Sequence, residues 1–351
     1  MKHLPLLFSF IVTLELQAQR SVLRPQDPLI PEIITRWTDD AKTYHLRDYH
    51  LEEHALFTKF NREYFFKHLL PEGPISYRYN KNKKISGKRL HNLAEHLVKE
   101  IFDKKTAFTH FTVLKNEDFN GHTASGTAIF KYKQYPFVLK LFIKTPETFV
   151  KPFSEGLVPS CFFVMGGGIN RYLSGFTRIR NLELIKQKIN ESPYWSQLVD
   201  TPRKWFWTPT NCRWFELIGK NVGTKRIQRA VLPSVYGIIA DAIESEKTLS
   251  IFNKQEREFA LQLTHYLDNS IDAHADNFMV EKKTLKVVLI DTEHFPTMVG
   301  LKKPLVYDSY SAWYCKLAWK CLTDKLSHHK KYRRELQTKP TSALLTYDKK
   351  V

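Results

Sequence analysis

Asp272, Asn277 and Asp291 place two carboxylates and one amide in a single run of chain, five and then fourteen positions apart. They lie in Ile271-Asp272-Ala273-His274-Ala275-Asp276-Asn277-Phe278-Met279-Val280 and at the end of Leu285-Lys286-Val287-Val288-Leu289-Ile290-Asp291. If Phe278-Met279-Val280 pairs with the second apolar run across Glu281-Lys282-Lys283-Thr284, Asn277 and Asp291 meet at one end of a hairpin. A carboxylate and an amide carbonyl at one point are hard oxygen donors suited to the octahedral shell of magnesium. Asp272 would then orient an acceptor hydroxyl and take its proton, while Lys140 would hold the phosphates of a nucleotide. That chemistry is phosphoryl transfer, carried by placement and electrostatic compensation. Taken singly, each residue has a structural use: Asp272 to cap a turn, His274 to bond in a core, Asn277 to begin a strand and Asp291 to end one. Only their joint order points to a reaction.

The elements that must position these groups are read from periodicity. Leu90, Leu93, Ala94, Leu97, Val98 and Ile101 recur at helical spacing and predict a helix packed on one side. Thr127 to Tyr132 and Phe137 to Ile143 predict two strands joined at Gln134-Tyr135-Pro136, with Lys140 projecting from the second. Trp205-Phe206-Trp207 and Arg213 to Gly219 read as adjacent strands. Beyond Pro233, Ser234 is expected to cap a helix with Val235, Ile238, Ile239, Ala242 and Ile243 on its apolar face. A second helix presents Phe252, Phe259, Leu263, Tyr266 and Leu267, and a third follows Pro304. Strands dominate the middle of the chain and helices the later part.

A chain of 351 residues with 42% apolar content holds one large domain or two lobes sharing a cleft. Its net charge of +18 favours anionic partners: a nucleotide, a phosphorylated head group or an anionic surface. Nucleic acid is a weaker expectation, because basic charge comes here without a positioning motif. The basic start, the apolar run Leu4 to Leu14 and the small Ala18 suggest a signal peptide over 1–20 and export; membrane association and a cytoplasmic location are the alternatives. Cys161, Cys212, Cys315 and Cys321 are dispersed and form no close pair, so buried thiols are expected rather than zinc. His328-His329-Lys330-Lys331 and Arg333-Arg334 fit a solubilising tail.

Asp272-Ala273-His274-Ala275-Asp276-Asn277-Phe278-Met279 resembles the catalytic loop of the protein kinase-like superfamily, in particular its phosphoinositide 3-/4-kinase branch. Ile290-Asp291-Thr292-Glu293-His294-Phe295 is similar to that branch's metal-binding segment. Together they cover about 25 residues of the chain. The resemblance implies an α+β, bilobal fold, with a sheet-rich N-lobe over a helical C-lobe and ATP with Mg2+, or Mn2+, in the cleft. It implies Asp272 and His274 as catalytic residues, Asn277 and Asp291 as metal ligands, and Lys140 as the nucleotide lysine. The phosphate-covering loop would be Asn120 to Thr127, with Gly121 and Gly126, although its glycine spacing departs from the kinase signature. Ala273 stands where the pattern has Arg, and Thr292-Glu293 where it has Phe-Gly. Glu147, Glu155 and Glu183 are open as partners of Lys140, and Asp276 and Glu293 as supporting groups. On this reading residues 21–105 form an extension, 106–220 the nucleotide-binding lobe, 221–325 the catalytic lobe and 326–351 a basic tail. The expected function is a divergent kinase acting on a protein hydroxyl or, second, on a phosphoinositide-like lipid or small molecule. The alternatives are a catalytically inactive kinase-like binding protein and a structural or interaction protein.

Overall fold

The computed structural model describes residues 32–39, 42–47, 60–149, 172–220, 227–250, 252–268, 270–272 and 275–294. The expected export segment, Glu155, His274, the helix after Pro304 and the basic tail lie outside these residues. The architecture is mixed α+β, with several sheets and helices.

The chain begins with β1 (Glu32–Trp37), β2 (Thr43–Arg47), α1 (Arg62–Lys67), β3 (Pro74–Ser76), β4 (Lys84–Ser86) and α2 (Gly87–Phe102). Next come β5 (Phe111–Lys115), β6 (Phe119–Asn120), β7 (Ser125–Tyr132), β8 (Phe137–Ile143) and α3 (Pro146–Phe149). The helices α4 (Thr177–Glu191) and α5 (Pro193–Leu198) lead to β9 (Val199–Asp200), β10 (Lys204–Trp207), β11 (Trp214–Lys220), β12 (Ile227–Pro233) and β13 (Val235–Asp241). β14 (Ser245–Thr248), α6 (Lys254–Tyr266), β15 (Phe278–Glu281) and β16 (Val287–Leu289) follow.

The sheet that matters for the site runs β10-β13-β8-β7-β5, with β6 also pairing β7. It is antiparallel throughout, and it draws strands from both sides of residue 220. One face is covered by α2, whose Leu90, Leu93, Ala94, Leu97, Val98 and Ile101 are all buried, as their spacing predicts. Because strand side chains alternate, Leu139, Leu141 and Ile143 of β8 join this α2 core. Phe142 belongs to a second core on the opposite face, and Lys140 lies on that face with it. Ile238 of β13 is paired with Lys140, and Phe206 of β10 with Ile238, so Lys204 also lies on the Lys140 face.

Three sequence expectations differ from the structure. Residues 235–241 form the strand β13, not a helix, and every one of them is buried. A strand covered on both faces reads as a continuous apolar run, and its periodicity alone does not separate it from a buried helix. β10 and β11 are not neighbours either: β10 pairs β13, whereas β11 lies between β1 and β12 in a separate sheet ordered β12-β11-β1-β2. Phe252, expected on the apolar face of the next helix, is 90% exposed and precedes that helix's cap, Asn253, whose Oδ1 accepts from the N–H groups of Gln255 and Glu256.

The third sheet is ordered β14-β15-β16-β9. Its Phe278, Val287 and Leu289 pack with Ile185 and Ile189 of α4, Trp195 of α5 and Leu263 of α6. The β15–β16 hairpin has the expected register, with Phe278 opposite Leu289 and the Ile290 N–H bonded to the Asn277 carbonyl at 3.0 Å.

The start of α4 is pressed onto the Lys140 face of the central sheet. Tyr236 stacks on Phe142 at 4.5 Å and on Phe176 at 4.4 Å between ring centroids. Gly175 makes this approach possible, because a Cβ there would stand 1.9 Å from Tyr236 Oη and 3.1 Å from Phe142 Cζ. Gly175→Ala must therefore push α4 off the sheet, and a loss of about 1–3 kcal/mol is expected by analogy with overpacked cores. Urea unfolding reads it as a lower midpoint at unchanged slope, and an unchanged midpoint would contradict the packing described.

Candidate functional site: a cation cluster on Asp291

Four elements converge on one carboxylate. β8 supplies Lys140, β10 supplies Lys204, the first turn of α4 supplies Arg178, and β16 runs out into Asp291-Thr292-Glu293. Lys140 Nζ donates to Asp291 Oδ2 at 2.7 Å. Arg178 donates from Nε to Asp291 Oδ1 at 2.9 Å and from Nη2 to Oδ2 at 3.4 Å, and it forms an ion pair with Glu293. The Glu293 N–H adds a bond to Asp291 Oδ1 at 3.1 Å. Lys204 Nζ is held beside them by the Ile290 carbonyl at 2.9 Å and Thr292 Oγ1 at 2.8 Å. Thr292 Oγ1 in turn donates to the Arg178 carbonyl at 2.7 Å, and Asn181 Nδ2 reaches the Thr292 carbonyl at 3.1 Å.

The electrostatics follow from burial and sign. Burial by itself would raise the Asp291 pKa, but Arg178, Lys140 and Lys204 outweigh it and hold the carboxylate well below its usual range. Arg178 is buried, which disfavours its charge, yet Asp291 and Glu293 keep it protonated and push its pKa up. Burial pulls Lys204 down to about 7, opposed by Asp291 and assisted by the neighbouring Arg178 and Lys140. The Arg178 guanidinium also lies over the Phe142 ring at 5.3 Å.

This arrangement overturns the expected metal centre. A carboxylate offers about four lone-pair directions, and the Asp291 oxygens already accept the bonds from Lys140, Arg178 and the Glu293 N–H. Asn277 comes to the same end of the hairpin, but its Nδ2 donates to the Asp272 carbonyl at 3.1 Å, bracing the loop. Among the described residues no group of three or more His, Cys, Asp or Glu side chains is placed to hold a metal ion. The expectation of ATP with Mg2+ or Mn2+ on Asn277 and Asp291, and the metal-binding character with it, is therefore withdrawn; the donor set does not fit the ion.

The remaining expected residues are placed as follows. Asp272 flanks the isolated bridge between Ile271 and His294, while its neighbour His274 lies outside the described residues. Gly121 is in the turn between β6 and β7, where Asn120 Oδ1 accepts from the N–H groups of His122 and Thr123. Gly126 has φ +118°, and a Cβ there would lie 2.1 Å from the Asp118 carbonyl oxygen, so it serves the hairpin's own backbone approach. Glu147 accepts from Tyr44 and Glu183 from Tyr64, so neither is the Lys140 partner; Asp291 is.

Arg178 and Lys204 were not singled out from sequence. Lys204 had a readable signal, since it opens the aromatic strand Lys204-Trp205-Phe206-Trp207 on the same side as the buried Phe206. Arg178 had none that separated it from the exposed Arg180 two positions on. No protein-family model, curated protein or solved structure matches this chain. Among the described residues no helix is long and apolar enough to cross a membrane.

Proposed function

We propose that this chain is a kinase-like binding protein, in which a sheet-rich lobe bearing Lys140 closes on a later lobe bearing Asp291 and holds a phosphate-bearing anion without transferring phosphate. The observation that carries this reading is the 2.7 Å ion pair between Lys140 and Asp291, which joins the central sheet to the segment after the β15–β16 hairpin. Lys140 and Asp291 retain 19% and 16% side-chain exposure, so the pair borders solvent. An ammonium has three N–H donors, and Lys140 places one on Asp291. Two remain for a ligand.

The charges around that opening favour an anion. Lys140, Arg178 and Lys204 face Asp291 and Glu293, an excess of one positive charge when Lys204 is protonated. Phosphate oxygens meet such donors in short, charge-assisted bonds. Arg178 and Lys140 occupy the carboxylate that a metal-dependent transfer would need, which supports binding over catalysis. The order of Asp272, Asn277 and Asp291 supports the kinase-like part of the reading.

The test is calorimetry with tripolyphosphate in EDTA. Wild-type protein is expected to bind, and Lys140→Ala to bind at least about tenfold more weakly, as befits loss of a charge-assisted contact. Magnesium is expected to add nothing to affinity. Unchanged binding by Lys140→Ala would remove the cleft from the ligand site, and transfer of label from γ-labelled ATP to a hydroxyl acceptor, abolished by Asp291→Ala, would replace this reading with a kinase.

A further inference from the structure

Away from the Asp291 cluster, α4, α5, β9 and the approach to β16 enclose a recess of about 170 Å³. Lys186, Asn190, Ser196, Asp200, Thr201 and Lys286 line it. The volume is below the roughly 300–1,000 Å³ of sites for drug-sized molecules and suits a small ion or a single headgroup.

Its charges do not balance within the protein. Asp200 is taken by Arg78 at 2.7 Å and by the Thr201 N–H at 2.7 Å. Asp241, which also acts on Lys186 at longer range, is taken by Arg203 at 2.6 Å. Glu281 is held by Arg78, Tyr79 and Thr284. Lys286 Nζ reaches only a carbonyl, that of Ser196 at 2.7 Å. Among the described residues no carboxylate lies within ion-pair distance of Lys186 or Lys286, and Lys186 makes no side-chain hydrogen bond. Both lysines are half-buried, and burial holds the Lys186 ammonium below its ordinary pKa. A half-buried cation whose nearest carboxylates are already paired with arginines is only partly compensated.

A neutral group in the wall of the recess is also unmatched. Thr201 is 3% exposed and its Oγ1 has no hydrogen-bond partner. Buried hydroxyls are normally bonded, so this one is a donor in want of an acceptor. The hydroxyl is sealed from the recess, so Lys186 and Lys286 alone present donors to a space the size of a tetrahedral oxyanion.

We propose that this recess is a second, separate anion site that takes a phosphate group, either as inorganic phosphate or as the terminal phosphate of a phosphomonoester, between Lys186 and Lys286. The ligand supplies the charge that Asp200, already paired with Arg78, does not. The site shares no residue with the Lys140 cleft.

Calorimetry of the full chain in EDTA at fixed ionic strength, with inorganic phosphate in one arm and glycerol 3-phosphate in the other, tests it. The double variant Lys186→Gln/Lys286→Gln is expected to lose at least about tenfold in affinity for the phosphate probe. The equally charged control Lys84→Gln/Lys88→Gln, on the exposed surface, is expected to retain it. Binding in both arms assigns the terminal phosphate group as the recognised unit, and binding of the free ion alone assigns inorganic phosphate. Equal losses in the recess variant and the surface control, or a wild type that binds neither probe, would overturn the proposal.

Discussion

Arg178→Ala is expected to destabilise the protein by about 3–5 kcal/mol, the range for removing one partner of a buried ion pair. The guanidinium joins Asp291 and Glu293, and Arg178 and Glu293 are both at least nine-tenths buried. Without it, Asp291 keeps Lys140, but Glu293 is left with the Ser174 hydroxyl at 3.1 Å. The Phe142 ring also loses the cation above it. Arg178→Lys should recover only part of the loss, because one ammonium does not span two carboxylates as a planar fork does. In urea unfolding the double variant Arg178→Ala/Glu293→Ala should be less destabilised than the two single losses summed, since the second change removes the charge orphaned by the first. A loss below about 1 kcal/mol for Arg178→Ala would show that the cluster is solvated rather than integral to the fold.

Stability should also rise with pH through neutrality, and Lys204 is the reason. Its pKa in the folded protein is about 7 against an ordinary 10.5, so the unfolded chain binds more protons in the interval between. The contribution is fully present above the unfolded value and is lost as pH falls through about 7. Its size is on the order of a few kcal/mol across that window. Tyr64 and Tyr132 have raised pKa values and act oppositely at higher pH, which makes the difference between wild type and Lys204→Met the useful quantity. Lys204→Met should flatten the profile from pH 7 to 9 and be no less stable than wild type at pH 6, where the buried charge is at its most unfavourable. The same protonation adds a positive charge beside the Lys140 cleft, so lowering the pH from 8 to 6 should favour tripolyphosphate binding more in wild type than in Lys204→Met, the titration of the ligand being common to both. Parallel stability profiles for the two proteins would remove Lys204 from this role. At the acid end Asp291 acts in the same sense: its depressed pKa contributes stability that is present above the unfolded carboxylate value and lost as pH falls through the folded one.

Much of the local structure was legible in the chain. The six apolar positions from Leu90 to Ile101 specified both a helix and its buried face, because a single 3.6-residue period accounts for all of them. Two strand-like runs with Gln134-Tyr135-Pro136 between them likewise located β7 and β8, and the β15–β16 hairpin came out in the register that brings Asn277 beside Ile290. The fold's hardest segment was β13, where burial on both faces erased the alternation that identifies a strand.

The chemistry of Asp291 divides along the same line. Residue type and spacing determined that a carboxylate would close a hairpin near Asn277, and that Lys140 would stand on a strand of a separate sheet. Which groups would neutralise that carboxylate was decided only by the tertiary structure, which brings Lys140 from 151 positions away and Arg178 from 113. A local pattern reports the donors and acceptors a segment offers, and it is silent on which of them distant parts of the chain will consume. Asp291 has the side chain of a metal ligand, and three cations folded around it make it the anchor of an ion-pair cluster.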